Sequence, residues 1–372
     1  MIKYLDSQEK EWTRDLWREA FTEDSEEFLD YYYKEKMSDN RVLALFEDDS
    51  RVQSMLQRNP YCIQVRNRAW NVDYLVAVAT RSDRRHRGYM RSLLTRMMQD
   101  QHSQRMPFCF LMPAAEAIYT PFQFTFIYDQ PVWELKEDVS LRRISIKEDT
   151  VSSAAEWMNQ WLEQRYELYA CRNEAYVRRL LHEVASEDGS MEFLQDGNRL
   201  AGVQSIWGRE TREQRLLYTE DGYSKLEKTK PAIMARIITP ETFLPVIRLR
   251  QDADVETLDI CLELEDPMIA DNNGCWIWTL NCETSVLRRR YEEPEMQAEA
   301  AENQNENQME AERPTVREAE PELDGDWDHV LHLRIEELTA WLFGYHVPDA
   351  VKQYAGAEQI DVLKRIFLDE VV

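Results

Sequence analysis

The run Tyr74-Leu75-Val76-Ala77-Val78-Ala79-Thr80-Arg81-Ser82-Asp83-Arg84-Arg85-His86-Arg87-Gly88-Tyr89-Met90 joins three kinds of sequence. Residues 74–80 read as an apolar strand, and a short basic turn follows. The turn opens a helix in which Met90, Leu93, Leu94, Met97 and Met98 fall at i, i+3, i+4, i+7 and i+8, one apolar stripe to set against a sheet. A helix start leaves backbone N–H groups unpaired and carries positive potential, so an anionic pyrophosphate is its natural occupant. Gly88 has no side chain to obstruct close approach, and Arg84, Arg85 and Arg87 add screened positive charge. A lone R-x-x-G would read as a solvated basic helix start; strand, turn and amphipathic helix in series point to phosphate. The turn is not a Walker loop, because no G-K-[ST] follows, and one glycine is too few for a dinucleotide fingerprint.

Next in the chain, Phe108-Cys109-Phe110-Leu111-Met112 reads as a strand, followed by the small-residue turn Pro113-Ala114-Ala115 and by Tyr119 at the start of a short helix or loop. Taken alone, Tyr119 reads as a packing aromatic. Further on, Trp157 and Trp161 mark a helix, and Asp196-Gly197-Asn198 between two apolar runs signals a hairpin into a strand over 200–206. Lys230-Pro231-Ala232 breaks the pattern ahead of strand-like sequence at 233–238. Strand character returns at Gly274–Leu280 and at 329–335. Three units result: 1–137, 138–231 and 232–372.

The whole chain of 372 residues has 45 Lys and Arg against 70 Asp and Glu, a net charge of −25. That balance excludes a dedicated nucleic-acid binder, which needs Lys and Arg on phosphates. It favours cationic partners, or serves solubility alone. Residues 291–325 hold twelve acidic and two basic residues, so −10 of the −25 belongs to one stretch expected to be a disordered insertion between two strands of the third unit. No run approaches the roughly 18–20 apolar residues of a membrane span, and the opening Met1–Asp6 does not read as a signal peptide. Six cysteines lie scattered without a C-x-x-C pair, which reads as reduced, mostly buried thiols, no metal site and a cytoplasmic address.

The basic turn resembles the acetyl-coenzyme A motif of GNAT-type N-acetyltransferases, R/Q-x-x-G-x-G/A, with Arg85 and Gly88 matching and Met90 replacing the usual small residue. Tyr119 after that turn, the aromatic run Trp341-Leu342-Phe343-Gly344-Tyr345 and the closing Phe367-Leu368-Asp369-Glu370-Val371-Val372 together resemble the enhanced-intracellular-survival (Eis) family. The resemblance implies an α+β chain of two tandem GNAT domains, the first catalytic and the second degenerate, followed by a sterol-carrier-protein-like domain. It implies acetyl-coenzyme A as cosubstrate, held by Val78, Ala79 and Thr80 on the strand, by Arg85, His86, Arg87, Gly88, Tyr89, Met90 and Arg91 at the turn, and by Ala114 and Ala115 beside it. Tyr119 is implied as general acid and the Val372 carboxylate as general base.

The implied acceptor is a cationic amine, aminoglycoside-like or a polyamine, with lysine side chains second; a non-enzymatic lipid-binding module is the rival reading. Asp369 and Glu370 are candidates to line a cationic pocket, and Glu23, Asp24, Glu26 and Glu27 read as a solvated face. A homo-oligomer, as a ring-like hexamer, is also implied. Gln123, where the family has glycine, Glu116-Ala117 and the acidic insertion depart from the family pattern.

Overall fold

The computed structural model describes residues 1–47, 51–209, 211–290 and 329–370; the acidic insertion, Val371 and Val372 lie outside the described residues. Two long strands, Val52–Val65 and Arg68–Thr80, pair antiparallel and carry the first sheet, whose order is Ile2–Tyr4, Arg41–Phe46, Val52–Val65, Arg68–Thr80, Phe108–Leu111, Ser224–Ile237, Thr125–Leu135. One face is covered by the helices Arg14–Ala20 and Glu26–Lys34 through Leu16, Trp17, Phe28, Leu29 and Tyr32. The helix Tyr89–Ser103 covers the other, and Leu93, Leu94, Met97 and Met98 are all buried, so the 3.6-residue period placed the stripe correctly.

The second unit is a four-stranded antiparallel sheet in the order Glu213–Thr219, Arg199–Trp207, Ser190–Asp196, Arg142–Ser145, packed by the helices Val151–Glu163 and Glu174–Ser186. Its hairpin turns at Gly197, with Asp196 opposite Arg199, as the Asp-Gly signal foretold. Two strands leave this unit for the first sheet. Leu168–Ala170 pairs with Val52–Val65, and Ser224–Ile237 lies between Phe108–Leu111 and Thr125–Leu135. The expected break at 231–232 therefore falls inside a strand. Pro231 has no N–H to donate, and the ladder slips register beside it, between Pro231 and Ile233.

The third unit has the sheet order Ser285–Arg289, Gly274–Leu280, Leu258–Glu265, Val330–Arg334, the last pair parallel, with the helix Ile335–Leu342 packed by Leu338, Trp341 and Leu342. Its core is continuous with that of the first unit. Phe108, Phe243 and Phe343 stack or meet edge-on with ring centroids 5.0 to 5.8 Å apart. Arg66, in the turn between the two long strands, ties all three units. Its guanidinium reaches Glu167 (3.2 Å), the Val246 carbonyl (2.9 Å) and the Asp361 carboxylate (2.9 Å).

Candidate active site

The strand Arg68–Thr80 loses its parallel neighbour part-way along. Asp73, Tyr74 and Leu75 face Cys109, Phe110 and Leu111, and there the pairing stops, because Phe108–Leu111 ends and the chain turns through Ala114 and Ala115 into the short helix Glu116–Tyr119. On its other side the register slips: Gln57 faces Val76 and Met55 faces Ala79, leaving Ala77 and Val78 against Leu56. Ala77 adopts φ +49° there, a β-bulge that re-aims the backbone. The edge Val76–Thr80 thus has no partner from Phe108–Leu111, and the exposed Ala114 and Ala115 lead from the end of that strand to Tyr119.

At the end of that edge the chain is anchored before it turns. Arg81, buried, binds the Val52 carbonyl (2.8 Å) and Glu19 (2.8 Å), and Glu19 also accepts from the Ser82 N–H (2.7 Å). That backbone donor, with the Ser82 hydroxyl and Arg81, holds the Glu19 carboxyl below the usual carboxylate range. Gly88 takes φ +81°, a conformation that disfavours a side chain, and a Cβ there would meet no protein atom within 4 Å; it would stand in the space before the helix. The first helical bond is from the Ser92 N–H to the Gly88 carbonyl, and no side chain caps the helix, so the N–H groups of Gly88, Tyr89, Met90 and Arg91 are unclaimed by it.

Not every expected cation is available for an anion. Arg84 pairs with Glu47 (3.0 Å) and Asp83 (2.9 Å), Arg87 approaches Glu47 (3.7 Å), and Tyr89 also donates to Glu47. Arg91 lies over the Phe122 ring. Arg85 is exposed and has no ion pair among the described residues, and His86 beside it is exposed with φ +62°.

Tyr119 is 7% exposed, meets Phe124 edge-on at 6.0 Å and belongs to the apolar cluster with Leu111, Phe122 and Met234. Burial pushes its phenol up to about 12. Tyr74 is held higher still by burial and by the neighbouring Tyr61 and Glu370. The Tyr74 hydroxyl donates to the Glu370 carbonyl at 3.1 Å.

Glu370 arrives there because Ile366–Phe367 pairs parallel with Leu168 and Tyr169, while Phe367 packs among Trp161, Tyr166 and Tyr218. The expectation that Asp369 and Glu370 line a cationic pocket is corrected: both are buried and bonded to Arg172 at 2.5 and 2.6 Å. Burial raises Asp369. Burial acts the same way on Glu370, but Arg172 and the Tyr176 hydroxyl outweigh it and hold that carboxyl low. On the outer face, Glu26 pairs with Arg14 and Arg18 and Glu27 with Arg209, a solvated ion-pair surface as expected.

Between the first and second units lies a cavity of about 260 Å³ whose wall includes Asn59, Tyr61, Cys62, Cys171, Tyr176 and Glu183. The buried Asn59 Oδ1 has no hydrogen-bond partner among the described residues. Glu183 lies 3.8 Å from Lys36 and 3.9 Å from Arg215, so its charge is shared with two cations.

The sequence did not disclose the bulge at Ala77, Tyr74, Arg172, Tyr176 or Tyr218. Arg172 precedes Asn173, the residue that caps its helix, and that is the only local mark it carries. Its partners are 197 and 198 residues away.

Residues 1–127 match the family model of an acetyltransferase (GNAT) domain. A conserved protein of unknown function from Enterococcus faecalis V583, a probable N-acyltransferase, superposes with a TM-score of 0.70 at 15% identity, over 97% of this chain and 93% of that one. A GCN5-related N-acetyltransferase from Anabaena variabilis ATCC 29413 gives 0.68 at 14% identity, over 97% and 94%. Eis1 from Mycobacterium abscessus gives 0.57 at 11% identity, over 79% and 86%. No curated protein matches the sequence. The chain has the mixed α/β architecture of these GNAT-fold proteins.

Proposed function

We propose that this chain, whose residues 1–127 match the family model of an acetyltransferase (GNAT) domain, moves the acetyl group of acetyl-coenzyme A onto a primary amine of a cationic small molecule. Domains of this type use acetyl-coenzyme A, and the residues present fit it. The N–H groups of Gly88 to Arg91, with the exposed Arg85 and His86 beside them, suit a pyrophosphate. The edge Val78, Ala79 and Thr80 suits the pantetheine arm and can polarise the thioester carbonyl through backbone N–H, with Ala114 and Ala115 as the facing wall. One observation carries the reading: the bulged, unpaired strand edge runs straight into the uncapped helix start.

A primary ammonium has a pKa of about 10.4, so the amine must lose a proton before it attacks. In this reading the Val372 carboxylate takes that proton; an α-carboxyl of reference pKa about 3.5 becomes a stronger base when burial raises it. The support for that role is the path of Ile366–Glu370 into the first unit, up to Tyr74. Tyr119, kept protonated at neutral pH, donates to the departing sulfur as its charge develops. A thiol of pKa about 8.5 is the stronger acid of the two, so the phenol bonds to the growing thiolate as the C–S bond breaks, and the second proton that nitrogen sheds on forming the amide ends on that sulfur.

Within this reading residues 1–137 are the catalytic unit and 232–372 a sterol-carrier-like unit that delivers the chain end. Residues 138–231 bind no coenzyme; the helix Glu174–Ser186 is already capped by the Asn173 side chain, which accepts from the Tyr176 N–H at 2.8 Å. The acceptor class rests on the net charge, still −15 once the −10 of residues 291–325 is taken from −25. A cytoplasmic homo-oligomer, hexameric by the resemblance, completes the proposal, and light scattering reads its mass. The test of function is thiol release from acetyl-coenzyme A across an aminoglycoside, a polyamine and a lysine peptide. Turnover of the first two is expected. Turnover of the peptide alone moves the acceptor to protein lysines, and none with any amine contradicts the proposal.

A further inference from the structure

We propose that Cys62 and Cys171 form a reversible modification site: a dithiol pair that a low-molecular-weight disulfide converts to an intramolecular bridge between the first and second units. The site is independent of the acetyl-transfer reading and needs neither its coenzyme nor its acceptor.

The backbone sets the pair. Leu168–Ala170, from the second unit, pairs antiparallel with Val52–Val65 of the first sheet, placing Val65 opposite Leu168, Gln64 opposite Tyr169 and Ile63 opposite Ala170. One step further the same register brings Cys62 opposite Cys171, and the Cys171 N–H donates to the Cys62 carbonyl at 2.8 Å. Hydrogen-bonded partners in an antiparallel ladder have Cα atoms about 5.5 Å apart, inside the span of about 4.4 to 6.8 Å that a disulfide bridges. The two Sγ atoms already touch at 3.2 Å, so side-chain rotation is enough to close the gap. The ladder beside them is firm, since Ile63, Val65, Leu168 and Ala170 are fully buried.

The pair is also within reach of a small molecule. Both cysteines are half-buried, unlike the buried Cys109 and Cys261, and both line the cavity of about 260 Å³ between the two units. In a reducing compartment such a pair serves as a transient bridge rather than a permanent staple.

Burial, and the Cys62 thiol beside it, push the Cys171 thiol up to about 12, so Cys171 keeps its proton at neutral pH. Cys62 is therefore the attacking sulfur and Cys171 the resolving one. The Cys62 thiol gives its proton to water and attacks one sulfur of the incoming disulfide. That S–S bond breaks, and one thiolate leaves and takes up a proton. Cys62 now carries a mixed disulfide, and the thiol that helped to hold the proton on Cys171 is gone. The Cys171 sulfur then sheds its proton, attacks Cys62 and displaces the second thiolate, which is protonated in turn. Two protein thiols are oxidised and one small disulfide is reduced to two thiols.

The test incubates the full reduced chain with glutathione disulfide, blocks the remaining thiols with iodoacetamide in denaturant and maps the peptides by mass. The expected product is a cross-linked pair of peptides holding Cys62 and Cys171, released by dithiothreitol. Cys171→Ser should stop at a stable glutathione adduct on Cys62, and Cys62→Ser should gain an adduct on Cys171 at least about tenfold more slowly. The two sulfurs are 109 residues apart in the chain, so the bridged protein should also unfold at a higher urea concentration than the reduced one. Wild-type chain with Cys62 and Cys171 both alkylated, while the exposed Cys282 carries glutathione, overturns the proposal. So does a glutathione adduct that persists on wild-type Cys62, or a bridged chain with an unchanged urea midpoint. If the serine variants do not fold, the wild-type peptide map decides alone.

Discussion

The helix start after Gly88 and the last described residues, Asp369 and Glu370, are built in opposite ways. At the basic turn everything lies within the seventeen residues 74–90, and Arg85, His86, Arg87 and Gly88 are left exposed with no side-chain cap on the helix. At the other end, Asp369 and Glu370 are buried, and their partners Tyr74, Arg172, Tyr176, Arg215 and Tyr218 come from as far as 296 residues away. A helix start can stay bare when a ligand completes its hydrogen bonds. A segment of chain that must hold one position has to be completed by the protein itself, and all four carboxylate oxygens of Asp369 and Glu370 already have protein partners.

If the ends are separable in this way, damage to one leaves the other working. The largest expected effect is on folding: Phe367→Ala removes a buried ring from the aromatic nest and should cost about 3 to 5 kcal/mol in denaturant unfolding, with the acetyl-coenzyme A KM of the folded fraction unchanged. A raised KM would break the separation. Gly88→Val strikes the opposite end. It forces a β-branched residue to φ +81° and fills the space before the helix, so the acetyl-coenzyme A KM should rise at least about tenfold with a stability loss of only about 1 to 2 kcal/mol.

The buried end should also be the alkali-sensitive one. Unfolded phenols ionise near 10, whereas burial holds Tyr119 and Tyr166 at about 12 and raises Tyr61, Tyr74, Tyr176 and Tyr218 further. Between those values the unfolded chain binds fewer protons than the folded one, so stability is complete below pH 10 and falls as pH rises through about 12. Urea midpoints at pH 8 and pH 11 check this; equal midpoints would contradict the burial of these hydroxyls. The smallest effect is Gln123→Gly. Gln123 sits at φ +59°, and glycine there should add about 0.5 to 1 kcal/mol to stability without altering kcat.

The same division governs what the sequence disclosed. Residues 89–103 announce a helix because burial against a sheet imposes a 3.6-residue period, and Asp196-Gly197 announces a hairpin because few residues accept φ near +58°. These are local constraints, visible within one turn or one loop. The strand Ser224–Ile237 was masked by Pro231, which marks a break unless the register slip that accommodates it is known. Arg172 is legible least of all. A single arginine between a cysteine and an asparagine has no period, and its charge acquires meaning only beside carboxylates 197 and 198 residues later. Tyr119 stands out in the sequence by its place after the basic turn rather than by its surroundings, which are those of a core aromatic.

Acetyl transfer through Tyr119 is decided by Tyr119→Phe in a single-turnover assay of thiol release, with the amine saturating. Loss of the hydroxyl alone should slow release by about a hundredfold while the acetyl-coenzyme A affinity stays within about twofold. Release at the wild-type rate from the folded variant would show that the phenol only packs against Phe124 and that the chemistry lies elsewhere.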